Sequence, residues 1–190
     1  MIMLSLTLYF ILNIFSFSNP IENSSWIRSD NGIYEVRIYS DKYFSVSKYS
    51  IENNSFISAL GGIYSMDDKY YEVLEFHSLD STTVGDTIFY SKVKIDVKND
   101  SGKMSINGKK FVKTPNEDQL KGAWLMSGIE RRGEMRMRDT NRSRKTLKML
   151  AGGRFQWIAY DINKKGFYGT GGGTYSAVDG KYIENIEFFS

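Results

Sequence analysis

Apolar and polar residues alternate in short runs along most of this chain, and Asn, Asp and Gly bound the runs. A period of two places every second side chain on one face of an extended strand. Aromatic and β-branched enrichment within the runs points the same way. The pattern predicts strands over residues 26–28, 35–39, 43–50, 56–66, 70–77, 87–97, 103–106 and 110–113, and no helical period of useful length, at most one turn over 116–121. This run of short antiparallel strands predicts an all-β fold, an up-and-down meander closed as a small barrel.

The pattern then starts again. Tyr43-Phe-Ser-Val-Ser-Lys-Tyr49, the glycine pair of Leu60-Gly-Gly-Ile-Tyr64 and Tyr70-Tyr-Glu-Val-Leu-Glu-Phe76 recur as Arg154-Phe-Gln-Trp-Ile-Ala-Tyr160, Gly171-Gly-Gly-Thr-Tyr175 and Tyr182-Ile-Glu-Asn-Ile-Glu-Phe188. The alignment also pairs Val36 with Leu147, Ile38 with Met149 and Tyr64 with Tyr175. It slips by one residue between Met66-Asp-Asp-Lys69 and Ala177-Val-Asp-Gly-Lys181, a length change that a hairpin turn tolerates. Two tandem units are expected, over 24–114 and 119–190, joined by a linker over 115–118. The second lacks a counterpart of residues 79–114, so it is expected to hold about five strands and to keep an open edge. Such an edge implies a truncated product, or cover from the first unit or a second molecule by self-association.

Residues 1–18 carry no charged side chain, are too short to span a bilayer comfortably, and end with small residues at Ser16 and Ser18. They read as a signal peptide, so the protein is expected to be secreted or periplasmic. No cysteine is present, which excludes disulfides, thiolate catalysis and thiolate metal sites. The net charge of +3 is unevenly distributed: residues 130–148 carry an excess of +5 and the remainder sums to −2.

Candidate chemistry is narrowed by asking what both copies share. Glu72 and Glu184 fall at matched positions in an apolar stripe, Tyr70/Glu72/Leu74/Phe76 and Tyr182/Glu184/Ile186/Phe188. An inward carboxylate there either orients a ligand or pairs with Lys, Arg or a Tyr hydroxyl. Glu75 and Glu187 match on the opposite face, which predicts solvated charges. Tyr64 and Tyr175 follow the glycine pairs, and Trp157 lies on a strand of the second unit. Gly169-Thr-Gly-Gly-Gly173 lacks the Lys-Ser or Lys-Thr and the helix of a phosphate loop; the glycine pairs instead predict a bend or a close backbone approach. His77, the one histidine, aligns with Phe189 and so belongs to no shared site. No catalytic constellation, metal site or cofactor is indicated, although a carboxylate-based hydrolase stays open.

The basic segment contains Arg131, Arg132, Arg136, Arg138, Arg142 and Arg144, with Met135 and Met137 interleaved. As an extended hairpin it would present an apolar side and a basic side, suited to an anionic surface or a protein partner. Export makes nucleic acid an unsuitable partner.

Gly122-Ala-Trp124, the strand from Arg154 to Tyr160, the string Gly169-Thr-Gly-Gly-Gly-Thr-Tyr175 and the Glu-rich strand Tyr182 to Phe189 resemble a group of uncharacterised secreted bacterial proteins with tandem lipocalin-like domains. The resemblance implies a calycin-type antiparallel barrel and export, with no established ligand or reaction. Ser24-Ser-Trp26 lacks the glycine of the first motif. The function expected is binding of a small apolar or amphipathic ligand, with Tyr64, Glu72, Trp157, Tyr175 and Glu184 as lining residues. The alternative is an envelope or extracellular interaction protein that makes contact through the Arg-rich hairpin.

Overall fold

A computed structural model describes residues 19–67, 69–98, 101–115 and 120–190. The expected signal peptide, most of the linker and most of the expected helical turn lie outside the described residues. The fold is all-β and antiparallel. The first repeat supplies β1 (Ser24–Asp30), β2 (Ile33–Ser40), β3 (Tyr43–Ser50), β4 (Phe56–Ser65), β5 (Tyr71–His77), β6 (Thr87–Phe89), β7 (Val93–Lys98), β8 (Ser101–Ile106) and β9 (Lys109–Lys113). They form one curled sheet in the order β6-β5-β4-β3-β2-β1-β9-β8-β7.

First and last strands meet, with Trp26 opposite Lys113 and Ile27 opposite Val112, as barrel closure requires. The unbonded seam lies between β6 and β7. The strand expected over 87–97 breaks there, so this sheet has one strand more than the sequence predicts and is barrel-like rather than closed. The break is held from both sides. Tyr90 N–H donates to the Tyr70 carbonyl at 3.2 Å, and Asn107 N–H donates to that of Lys92 at 3.0 Å. The chain thus leaves the β5 edge and joins β8. At Asn31-Gly32 and Asn107-Gly108 both turn residues have positive φ, the two-residue hairpin turn that matches strand twist.

The glycine pairs accommodate a β-bulge in each repeat. Gly61 pairs with Phe76 and Gly62 with Leu74, leaving Glu75 as the extra residue. A Cβ on Gly62 would sit 2.0 Å from the Val73 carbonyl oxygen, and one on Gly61 2.4 Å from that of Phe44. The second repeat repeats this: Gly173 pairs with Ile186, Gly172 with Phe188, and a Cβ on Gly173 would lie 2.0 Å from the Asn185 oxygen. A bulge reverses the alternation beyond it. The expectation that Phe76 and Phe188 share a face with Glu72 and Glu184 is therefore corrected. Leu74 stays inside the barrel, whereas Phe76 turns to the outer face.

The second repeat builds β10 (Gly122–Leu125), β13 (Arg144–Ala151), β14 (Arg154–Asp161), β15 (Gly166–Val178) and β16 (Lys181–Phe189), a five-stranded sheet in that order. A separate hairpin, β11 (Gly128–Arg131) and β12 (Glu134–Met137), is inserted after β10. This sheet packs on the outer face of the first. Val36, Ile38, Tyr49, Ala59 and Phe76 are buried against Leu147, Met149, Ile158, Tyr160 and Phe188.

The contacts are reciprocal between repeat-equivalent residues. Tyr49 stacks on Phe188 at 4.7 Å, and Phe76 packs on Tyr160 at 5.1 Å. Phe56 meets Phe188 at 6.1 Å, and Phe76 meets Phe167 at 6.3 Å. Phe56 and Phe167, themselves equivalent, stack at 6.1 Å with planes 7° apart. Polar contacts obey the same exchange. Tyr49 OH donates to Glu187 Oε2 and Tyr160 OH to Glu75 Oε2, each at 2.5 Å. Asp41 Oδ2 accepts from Ala123 N–H at 3.1 Å, while Ser25 Oγ, at the position equivalent to Ala123, donates to the Gly152 carbonyl at 3.3 Å. Exchange of this kind defines a pseudo-twofold axis through the Phe56–Phe167 stack. The solvated roles expected for Glu75 and Glu187 are likewise corrected. Both lie in the interface, where Lys145 stands 3.5 Å from Glu75 and Arg154 2.6 Å from Glu187.

Candidate functional site

Inside the curled sheet, Arg37 and Tyr39 from β2, Glu72 from β5, Tyr70 just before β5 and Tyr90 just after β6 meet in one polar layer. Arg37 Nη1 donates to Glu72 Oε1 at 2.6 Å and to Tyr39 OH at 3.1 Å. Tyr70 OH donates to Glu72 Oε1, Tyr90 OH donates to Glu72 Oε2 at 2.7 Å, and the Tyr39 and Tyr70 hydroxyls are 2.8 Å apart. Glu72 has no exposed surface. Each of its oxygens holds a donor, the condition under which a buried carboxylate is tolerated.

Burial raises Tyr70 well above its ordinary pKa, with Tyr39 and Glu72 adding to the effect. Burial also raises Tyr90, again with help from Glu72. For Arg37, burial disfavours the charge, but Tyr39 and Glu72 outweigh it and hold the guanidinium above its usual value. Phe111 lies under Arg37, 5.6 Å from ring centre to guanidinium carbon. Around this layer Trp26, Phe44, Val46, Leu74, Met104, Ile106 and Phe111 fill the interior.

At the seam Tyr90 reaches the surface, with the buried Tyr70 beside it. Tyr70 and Tyr90, with Met66, Phe89 and Val93, line an open cleft of about 830 Å3 whose rim carries Asp67 and Lys69. Tyr64, packed 5.0 Å from Tyr39 and 6.5 Å from Tyr70, lies behind it in the core. Glu72 stands behind the tyrosine rings and fixes their hydroxyls. At the far end Glu35 is ringed by Arg28 at 3.3 Å, Lys109 at 3.6 Å and Lys48 at 3.9 Å.

The second sheet carries the same constellation in an open setting. Lys148, the equivalent of Arg37, pairs with Glu184 Oε1, and Tyr182, the equivalent of Tyr70, donates to the same oxygen. Leu150 stands where Tyr39 would, and among the described residues no strand covers the face. Trp124 is 54% exposed, and with Trp157, Lys148, Thr146, Leu125 and Met126 it lines a shallow cleft of about 500 Å3. Tyr175 is buried against Phe155 and Leu150, and its ring meets Tyr182 at 5.7 Å.

No protein-family model, curated protein or solved structure matches this chain. The site is therefore judged on its geometry alone. The five expected lining residues divide between two places: Tyr64 and Glu72 inside the first repeat, and Trp157, Tyr175 and Glu184 on the open face of the second. Arg37, Lys148 and Tyr90 are additions. The first two had a signal, since the alignment that pairs Val36 with Leu147 also sets one cation opposite the other. Tyr90 has no counterpart and carries none. Among the described residues no three His, Cys, Asp or Glu side chains gather as a metal site needs, and no helix is long and apolar enough to cross a membrane. His77 accepts from the Leu79 and Asp80 N–H groups in a surface turn.

The basic hairpin stands apart from both sheets. Its register sets Met137 opposite Gly128 and Met135 opposite Glu130, while Arg136 faces Ile129 and Arg131 faces Glu134. Met135 is 62% and Met137 72% exposed. Arg131, Arg132 and Arg136 crowd the tip, where Arg132-Gly133 makes the turn. Arg138 follows β12, Arg142 lies in the next turn, and Arg144 stacks over Tyr168 at 4.6 Å.

Proposed function

We propose that this protein is a secreted, lipocalin-like binding protein for a small apolar or amphipathic ligand seated in the cleft of the first repeat. The observation that carries this reading is the cleft of about 830 Å3 at the barrel seam. Its size falls in the range of small-molecule sites, and its walls combine apolar side chains with a few fixed polar groups. The rings of Tyr70 and Tyr90 are tied from behind by Glu72, so the wall needs little reorganisation to receive a ligand. Lys69 and Asp67 offer either sign of charge to a polar head. Native mass spectrometry of the purified protein should show a co-purified molecule, and an amphipathic fluorescent probe should bind saturably. Val93→Arg, which fills the cleft without touching the buried network, should abolish both. Undiminished probe binding in that variant would remove the cleft as the seat.

The hairpin supports a second role, contact with an anionic surface, because two exposed methionines and several arginines project together from a segment free of either sheet. Binding to vesicles containing anionic lipid should fall as salt rises and as Arg136 and Arg138 become Ser. Binding that survives the substitutions would dispose of this role.

A further inference from the structure

The two repeats present the same inner face, and among the described residues only one is covered. In the first, the edge of β5 is occupied by residues 85–90. Thr87, Ile88 and Phe89 lie opposite Val73, Glu72 and Tyr71. Leu74 N–H donates to the Asp86 carbonyl at 3.0 Å, and Gly85 N–H donates back to Leu74 at 2.8 Å. The same segment delivers Tyr90, whose hydroxyl takes Glu72 Oε2. β16 is the repeat-equivalent of β5 and is the edge of its sheet. Ile183 and Ile186 are 54% and 60% exposed on it, while its end is bridged at Phe189 to Ser55 of the first repeat. Behind it, Glu184 receives Lys148 and Tyr182 on Oε1, and among the described residues no donor reaches Oε2. An edge with exposed apolar side chains is a template for strand addition.

We propose that β16 and the open face behind it form a strand-acceptor site. Its occupant is an extended segment of a partner polypeptide that pairs antiparallel with β16. That segment carries an apolar residue opposite Glu184 and, two positions further on, a tyrosine that donates to the second oxygen of Glu184. The first repeat displays this chemistry: Ile88 lies opposite Glu72, and Tyr90 completes the carboxylate. Trp124 and Trp157 flank the place the inward side chains would reach, so burial of those indoles accompanies binding.

The test uses the full chain and a synthetic peptide with the sequence of residues 84–92, Val-Gly-Asp-Thr-Ile-Phe-Tyr-Ser-Lys. Titration should shift the tryptophan emission saturably and protect β16 amides from hydrogen exchange. Replacing the peptide's tyrosine with phenylalanine should weaken binding about tenfold. Glu184→Gln in the protein should weaken it by a similar factor, and the two changes together should cost little more than one, because they remove the same hydrogen bond. Ile186→Pro, at the position equivalent to Leu74, removes a backbone donor from an exposed edge and should block binding while the thermal midpoint stays near that of the parent. Absence of saturable binding would overturn the proposal, as would equal affinity for the phenylalanine peptide. Concentration-dependent dimerisation that the peptide fails to reverse would also overturn it, assigning the edge to a second copy of the chain.

Discussion

Arg37→Met isolates the energetics of the buried layer, and the second repeat provides its control. Arg37 and Glu72 form a 2.6 Å pair with side chains 8% and 0% exposed. Methionine approximates the arginine stem but leaves Glu72 with two phenol donors, no cation and no access to water. Breaking one side of a buried pair costs about 3–5 kcal/mol, chiefly because the remaining charge is uncompensated. Loss of the guanidinium above Phe111 adds about 0.5–1 kcal/mol. At the equivalent position Lys148 and Glu184 are 34% and 24% exposed, so water can take over the solvation of Glu184. Lys148→Met should therefore cost no more than about 1 kcal/mol. Arg37→Met combined with Glu72→Gln should recover roughly 2 kcal/mol of the single-variant loss, since the stranded charge is gone. Equilibrium urea unfolding, followed by tryptophan emission and compared at constant slope, measures all three. Equal losses for Arg37→Met and Lys148→Met would refute the argument that burial decides the cost. So would a double variant whose loss is the sum of its parts.

Gly62→Ala and Gly173→Ala each place a Cβ 2.0 Å from a backbone oxygen, so each should destabilise by about 3 kcal/mol or distort its bulge; unchanged thermal midpoints would show that the bulges relax freely. Tyr49→Phe and Tyr160→Phe remove equivalent donors to Glu187 and Glu75, and each should cost about 1–2 kcal/mol in chemical unfolding. A negligible loss from both would argue against their place in the interface. Burial raises Tyr49, Tyr70, Tyr90 and Tyr160 above the ordinary value of 10.0. The unfolded chain releases these protons first, so their stabilisation is complete below pH 10 and declines as pH rises beyond it. Thermal midpoints should fall above pH 10, with tyrosinate absorbance from these groups appearing together with unfolding. Ionisation of all thirteen tyrosines near pH 10 without loss of structure would contradict this.

Strand positions were legible because alternation and turn residues are local signals. The repeat added more, since it paired Glu72 with Glu184 and implied one environment for each pair. Three features escaped for physical reasons. The bulge at Glu75 changes which face Phe76 takes, and alternation alone carries no mark of it; the matched glycine pairs were its trace. Alternation alone predicts a solvated outer face at Glu75 and Glu187, although Val36, Ile38 and Tyr49 put apolar groups on that same face. An apolar pair on the face of β2 opposite the inward Arg37 and Tyr39 announces a second packing partner. Tyr90 was invisible because its role depends on the crossing of the seam, a tertiary event with no counterpart in the second copy.

The back-to-back packing is self-complementary, which has a consequence for how such a molecule arises. Val36, Ile38, Tyr49, Phe56, Glu75 and Phe76 within one repeat contain both halves of the surface that joins two. A tandem duplication therefore creates no new interface chemistry; it raises the effective concentration of one face before its twin to the millimolar range of short linkers. Because the shared surface is the outer one, each inner face can drift without disturbing the bond between the halves. That freedom separates the enclosed Arg37–Glu72 pair from the open Lys148–Glu184 pair, and it turns the inner faces of the two sheets in opposite directions.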